Sequence, residues 1–544
     1  MTPEYRAEKE ASVSFLGGGG IWEINAVTFL APAAAFLWAV LQTRQSFFKP
    51  YTLQACLTDF LLNCGAILFA TTVYSDSPQV LLGLMFLPAI ATYLQPAAKV
   101  QPSTKAPAKV GANGKATGSE DEAADTALDP LPIKPFITTY RGAMMIISCI
   151  SILAVDFNVF PRRFAKTEAF GTSLMDLGVG SFVFAAGVVA ARQQLKEDQT
   201  QTRSFINRMR TAMRHSAPLL VLGLVRLWAV KGLEYAEHVS EYGVHWNFFF
   251  TLALLPPAIA FLTPLLRWIP SYGIFAFLFA VCYECLLWFT PDLKFYIILS
   301  DRIEGDLISQ NREGLFSFIG YLAICIAGMG VGLCILPRDP EEEEAWKPGQ
   351  TRKHKVEDKD VLDEDADWLD SVIGSGADAV ADPFPEPPQL KPEFPQTTIW
   401  LLVKWTGLWF VFAIWMMWRY GPRLFVSRRM ANLAYVCWVC SFNTTQLLLF
   451  AGIEKMMFPN LYKAKDKQTE RQRAQYATSR IMHAFNRNGL ALFLLANLLT
   501  GLVNMSVHTL HLGDVEAMVI LVTYIATICG VALALDHYDV SIKL

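Results

Sequence analysis

ITTYRGAMMIISCISILAVDF (137–157), NVFPRRFAK (158–166) and TEAFGTSLMDLGVGSFVF (167–184) run consecutively in a chain of 544 residues. The first segment is long and apolar and closes on the carboxylate of Asp156. The second holds a helix-breaking Pro161, then Arg162, Arg163 and Lys166, and the third is apolar again. A helix needs about 20 apolar residues to cross a bilayer. The three segments therefore read as two spanning helices and the polar connection between them. An ionisable group at membrane depth is costly, which makes it a functional-site candidate by default. Asp156 and Lys166 put an acid and a base on one short connection, the minimum equipment for moving a proton during group transfer. The competing reading is an anchoring ion pair at a helix end, with Arg162 and Arg163 as interfacial positive charges.

The whole chain has the same character. It is 53% hydrophobic and 17% charged, and its mean hydropathy is +0.32. Its 37 Phe and 14 Trp suit a lipid-facing surface with aromatic belts. The expected fold class is all-α, a polytopic membrane helix bundle of about thirteen transmembrane helices. The expected spans lie near 22–43, 55–73, 78–95, 136–158, 172–191, 216–234, 244–263, 272–290, 313–336, 397–418, 431–453, 488–510 and 514–536. They divide the chain into a tail (1–21), helices one to three (22–95), a Pro/Ala/Lys/Gly-rich linker (96–135), helices four to nine (136–336) with a candidate catalytic connection at 157–171, an acidic linker (337–396) and helices ten to thirteen (397–544). The two linkers are too polar to bury a core, and they read as solvated tethers.

Lysine and arginine counts set an expected orientation. Thirty of the 46 fall on connections of one side and twelve on the other, and four lie within runs. Positive charge collects on the cytosolic side, so the carboxyl terminus is expected there and the amino terminus in the lumen. The exceptions on the lumenal side are Arg162, Arg163, Lys166, and the group Arg419, Arg423, Arg428 and Arg429. FPRRFAK (160–166) and VSRRMAN (426–432), which ends on Asn432, look alike and lie six helices apart, as parallel repeats would place them.

Other polar constellations join the list. EYAEHVSEYGVHWN (234–247) supplies Glu234, Glu237, His238, Glu241, His245, Trp246 and Asn247 on the same expected side. Its spacing fits no standard zinc pattern, so no metal is expected, and a polar lining for a sugar head group is the better reading. Arg312 opens helix nine, where it could hold a phosphate or be a plain interfacial positive; Glu313 beside it could complement the helix dipole. Arg141 lies about 22 Å along the helix axis from Asp156, near the opposite face. Asp176, Asn497 and Asn504 lie inside runs, where polar side chains often join helices. All ten cysteines sit in or beside apolar runs, and both CxxC pairs (282/285 and 437/440) read as packing. The net charge of −3 and the lack of a basic, aromatic patch exclude a nucleic-acid partner. No nucleophile elbow, Walker loop or dinucleotide fingerprint occurs.

The combination of GGGGIWEINAVT (17–28), TYRGAMMI, ILAVDFNVFPRRFAKTEAFGTSLMDLGVGSFVF, LEYAEHVSEYGVHWNFF, NREGLFSFIGY, VSRRMANLAY and NGLALFLLANLLTGLVNMS resembles the GPI-anchored wall transfer family, whose animal counterpart is PIG-W. The match runs nearly end to end outside the linkers. The resemblance implies an endoplasmic-reticulum membrane enzyme, an antifungal target in fungi. It implies transfer of a fatty acyl group, usually palmitoyl, from acyl-CoA to the inositol ring of glucosaminyl-phosphatidylinositol. Acyl-CoA is then a co-substrate and no cofactor is bound. The family's acid and lysine correspond to Asp156 and Lys166. Substrate contacts are expected from Arg162, Arg163, Glu234, His238, Glu241, His245, Trp246, Asn247, Arg312, Arg428, Arg429, Asn432, Asn504 and Arg141. A lipid transporter or flippase, or a non-catalytic subunit of the same pathway, is the rival reading.

Overall fold

The computed structural model describes residues 3–96, 131–200, 205–232, 241–266, 268–269, 271–290, 292–339, 397–420, 425–464 and 466–542. Among these residues there is no β-strand, and a single bridge joins Gly18 to Thr172. A short amino-terminal helix α1 (Pro3–Val13) precedes the apolar helices. These are α2 (Ile21–Gln45), α3 (Leu53–Thr71), α4 (Pro78–Tyr93), α5 (Pro135–Ala154), α6 (Leu174–Thr200), α7 (Phe205–Gly232), α8 (Phe248–Leu266), α9 (Tyr272–Phe289), α10 (Arg312–Ile335), α11 (Thr398–Tyr420) and α12 (Leu433–Met457). A polar helix α13 (Lys467–Tyr476) and an amphipathic helix α14 (Arg480–Arg487) follow, and then α15 (Gly489–Ser506) and α16 (Asp514–His537).

Eleven of these helices are long and apolar enough to cross a membrane. The expected thirteen runs all find a helix. Helix α4 is short of a full span: it has 16 residues, about 24 Å at 1.5 Å per residue, less than a hydrocarbon core of about 30 Å. Helix α7 starts ahead of its expected run of 216–234, with Arg208, Arg210 and Arg214 before the apolar part, and the end of that run, 233–234, lies outside the described residues.

Helices α2, α5, α6, α10 and α12 form the buried interior, while α8, α9, α11, α15 and α16 show more of their surface outward. The tightest crossing joins α6 to α10 and depends on small residues. A Cβ on Gly187 would lie 2.0 Å from the Cys325 carbonyl oxygen, and one on Gly328 would lie 2.2 Å from that of Phe184. Both distances are impossible for real atoms, so only glycine allows the backbones to approach this closely. In lipid, where apolar side chains gain little by meeting each other, such approach is the main source of packing energy.

The connections gather at two ends. One end holds α1, residues 17–20, the 155–173 connection, residues 241–247, the start of α10, residues 425–432 and the turn between α15 and α16. The other holds residues 46–52, 131–134, α13, α14 and the end of α16.

Candidate functional site

The 155–173 connection is clamped between two other segments. Gly19 donates its N–H to the Thr172 carbonyl at 2.8 Å, and Glu168 donates to that of Leu16 at 3.0 Å. On the other side, Gly171 donates to the Val426 carbonyl at 2.8 Å, and the Ser427 hydroxyl donates to that of Ala169 at 2.7 Å. Gly171 has φ +140, and a Cβ there would lie 2.2 Å from the Gly17 carbonyl oxygen, so glycine is needed on both counts. Residues 169–171, just after the first RR segment, thus sit beside 426–427 at the start of the second.

Asp156 lies just beyond the last turn of α5. Its Oδ1 is 2.9 Å from Lys9 Nζ, and its Oδ2 accepts from Asn504 Nδ2 at 2.8 Å. Lys9 also donates to Asn504 Oδ1 at 2.9 Å, which closes a three-membered cluster. Lys9 is carried by α1, which docks through Tyr5. The Tyr5 hydroxyl accepts from the Leu510 N–H at 3.1 Å, and its ring meets that of His508 edge-on. Arg162 curls back to the Val155 carbonyl at 2.5 Å and to Asn158 at 3.1 Å; burial lowers its pKa, and Asp156 opposes that shift. Arg163 bonds Glu23 and Asp76.

Lys166 belongs to a second cluster. Its Nζ is 2.9 Å from Glu241 Oε2. Burial alone would raise the pKa of Glu241, but the positive charges of Lys166 and Arg428 overcome it and hold the carboxyl at about 2. Arg428 lies 3.9 Å from Glu241 and donates through Nε to Asp176 Oδ1 at 2.6 Å. Burial would lower the pKa of Arg428, yet Glu241 and Asp176 raise it well above its ordinary value. Asp176, fully buried in the first turn of α6, also accepts from the Thr167 N–H at 3.0 Å and its hydroxyl at 2.7 Å. One carboxylate therefore ties the Lys166 segment, α6 and the 426–432 segment together.

A third cluster lies beside it. Glu313, also fully buried, meets Arg302 at 2.7 Å, Arg429 at 3.2 Å and Arg312 at 3.8 Å. Arg312 directs its guanidinium to the carbonyls of Ile297, Ser300 and Asp301. Arg429 also reaches the Glu168 carbonyl at 3.1 Å.

The residues singled out in the sequence separate into distinct settings. Asp156, Arg162 and Asn504 come together around Lys9; Lys166, Glu241 and Arg428 come together around Asp176; Arg312 and Arg429 share Glu313. Asn247 and Asn432 cap helices, accepting from the Phe249 N–H at 3.1 Å and the Tyr435 N–H at 3.2 Å. The backbone N–H groups of His245 and Trp246 both donate to Asn311 Oδ1, and the Trp246 indole donates to Thr251 at 2.9 Å. Arg141 is buried near the start of α5, at the opposite end. Glu234 and His238 lie outside the described residues. Among the described residues no group of three or more His, Cys, Asp and Glu is arranged to hold a metal.

Sequence reasoning missed Lys9, because a lone lysine in a polar tail carries no signal of a contact 147 positions away. It also read Asp176 and Glu313 only as a helix joiner and a dipole partner. Their sign was available: a carboxylate in the first turn of an apolar run demands a buried cation, and the RR pair at 428–429 supplies two.

Beside this end an apolar groove of about 540 Å³ runs between α2, α11 and α12, lined by residues such as Trp22, Phe29, Trp418 and Phe442. Trp22 and Phe29 lie on the same helix as Glu23, which bonds Arg163, so the groove opens next to the clamped connection.

The chain also has close relatives over its full length. It is 48% identical over 550 residues to GPI-anchored wall transfer protein 1 of Gibberella zeae, covering 100% of this chain and 99% of the relative. It is 47% identical over 545 residues to the Aspergillus fumigatus protein of the same name, again with 100% and 99% covered. The Saccharomyces cerevisiae protein of that name is 36% identical over 540 residues, with 99% of each chain covered. The sequence profile of the GWT1 family matches residues 5–535. With that span and those identities, the chain belongs to the GWT1 family.

Proposed function

We propose that this protein is an O-acyltransferase of GPI-anchor biosynthesis in the endoplasmic-reticulum membrane. It moves a fatty acyl group, palmitoyl, from acyl-CoA to an inositol hydroxyl of glucosaminyl-phosphatidylinositol. The observation that carries the reading is the clamped connection with Asp156 and Lys166, each fixed by partners, beside an apolar groove. The family membership and the sequence resemblance supply the substrate.

The chemistry requires a base and a cation. A sugar hydroxyl ionises far above neutrality, so its proton must leave as the new bond forms. Asp156 takes that proton. The hydroxyl oxygen bonds to the thioester carbonyl carbon, the carbon–sulfur bond breaks, and the thiolate leaves and collects a proton. Negative charge grows on the carbonyl oxygen and needs a positioned donor. Lys166, steadied by Glu241, is that donor. Lys9 and Asn504 orient the Asp156 carboxylate. The opposite assignment, with Lys166 as base, stays open to the same variants. Transfer is direct, because among the described residues no cysteine or serine sits beside the pair with a base of its own.

The test is to incubate purified protein with palmitoyl-CoA and glucosaminyl-phosphatidylinositol and look for the acylated lipid by mass spectrometry. The expected result is an acylinositol product and free CoA. Lipid moved between leaflets without acylation would favour a transporter, and neither activity would favour a non-catalytic subunit. Intact-protein mass spectrometry after palmitoyl-CoA alone is expected to show no acyl adduct; an adduct discharged by added lipid would overturn direct transfer.

A further inference from the structure

At the end opposite Asp156 lies a polar chamber of about 530 Å³. Pockets for small ligands typically measure roughly 300–1,000 Å³. The walls come from the end of α2, residues 48–51, α13, α14 and the end of α16. Four cations line it (Lys49, Arg471, Arg480 and Arg487), against the two carboxylates Asp536 and Asp539.

The carboxylates are already engaged. Asp536 meets Arg480 at 3.2 Å and His483 at 3.1 Å, and Asp539 meets Arg487 at 2.6 Å. Among the described residues, Lys49 and Arg471 meet no carboxylate; Lys49 rests over the Tyr476 ring at 5.0 Å. Two positive charges are thus left facing one cavity.

We propose that this chamber binds a phosphate-bearing ligand, with Lys49 and Arg471 neutralising the phosphate. Guanidinium and ammonium groups are the usual partners of phosphate oxygens. The chamber lies at a helix-bundle end, so the phosphate can come from a lipid head group or from a soluble phosphate ester. The site is separate from the acyl-transfer reading and does not depend on it.

The experiment uses the full-length protein in nanodiscs. One arm titrates adenosine 3′,5′-bisphosphate into neutral-lipid nanodiscs by isothermal calorimetry. The other measures the intact complex by native mass spectrometry after reconstitution with phosphatidylinositol at a few mole per cent. The expected result is saturable binding in one arm, weakened at least tenfold in the Lys49→Gln/Arg471→Gln double variant. A melting temperature close to that of the parent protein shows that the double variant is folded. Saturation by the nucleotide alone identifies a soluble ligand, and retention of the lipid alone identifies a head group. Absence of binding in both arms, or affinity unchanged in the folded double variant, would overturn the proposal.

Discussion

At the residue scale, the central fact is that Asp156 and Lys166 each have a partner other than the other. Asp156 is held by Lys9 and Asn504, and Lys166 by Glu241. If the two act as one catalytic unit, Asp156→Asn and Lys166→Met should each abolish most acyl transfer. The double variant should then be scarcely worse than either single, because losses within a unit do not add. Near-normal turnover in Asp156→Asn would remove it as the base. Lys9→Met tests the orienting role. It should cut kcat by roughly tenfold with little change in KM, since it leaves the lipid contacts alone, and Lys9→Arg should recover part of the loss. Glu241 gives a prediction about pH. Its folded pKa of about 2 lies below its ordinary 4.5. The stabilisation it supplies is therefore complete above about 4.5 and lost only as pH falls toward 2. Any acid limb of the pH–rate profile above pH 5 should thus persist in Glu241→Gln, while turnover falls because Lys166 loses its tether. Disappearance of that limb in the variant would show that Glu241 titrates in the working range. The sequence exposed Asp156 and Lys166 because each is an unusual residue at the edge of an apolar run. It hid Lys9, since a contact between a polar tail and a loop leaves no periodicity to read.

At the scale of elements, the helices were legible and their couplings were not. Apolar runs located α5, α10 and α12 to within a few residues, and likewise the start of α6, because lipid imposes length and composition on a spanning helix. They also suggested α4 as a full span, although it is short. A hydropathy run does not reveal where a helix stops being apolar on all sides. Nor does it reveal that α6 and α10 touch backbone to backbone. Gly328→Leu should therefore prevent folding, because its side chain would collide with the Phe184 carbonyl; the check is the monodisperse fraction in detergent gel filtration. Gly407→Leu is the control, since nothing lies within 4 Å of a Cβ there, and it should express normally. The RR segment at 426–432 carries a contrasting expectation. Arg428 suggested a phosphate ligand in the sequence, but the structure commits it to Asp176 and Glu241. Arg428→Gln would leave Asp176 buried beside too little positive charge, a change that typically costs about 3–5 kcal/mol. A marked fall in melting temperature is expected before any selective rise in KM. A stable variant with raised KM would return Arg428 to the role of lipid ligand.

At the scale of the molecule, the two chain ends lie at opposite ends of the bundle. Helix α1 docks at the Asp156 end through Tyr5 and Lys9. The last described residues lie beside α14, where Ile542 donates its N–H to Asn488 at 2.9 Å. That separation follows from side-chain contacts alone and holds for either orientation in the membrane. Orientation has to come from charge. The basic residues of 192–200, 205–215, 454–464 and 466–487 lie toward the end that carries the last described residues, and basic residues are retained on the cytosolic side. We therefore predict that the Asp156 end faces the lumen. The arginines at that end have another use, since Arg163, Arg312, Arg428 and Arg429 are each paired with a carboxylate of the protein. A glycosylation acceptor placed ahead of Met1 should accordingly be modified in cells, and one placed after Leu544 should not. The clean readout is an endoglycosidase-sensitive mobility shift in the first fusion only. The reverse pattern would put Asp156, Lys166 and the clamped connection in the cytosol, where the acceptor lipid would have to present its inositol from the other leaflet.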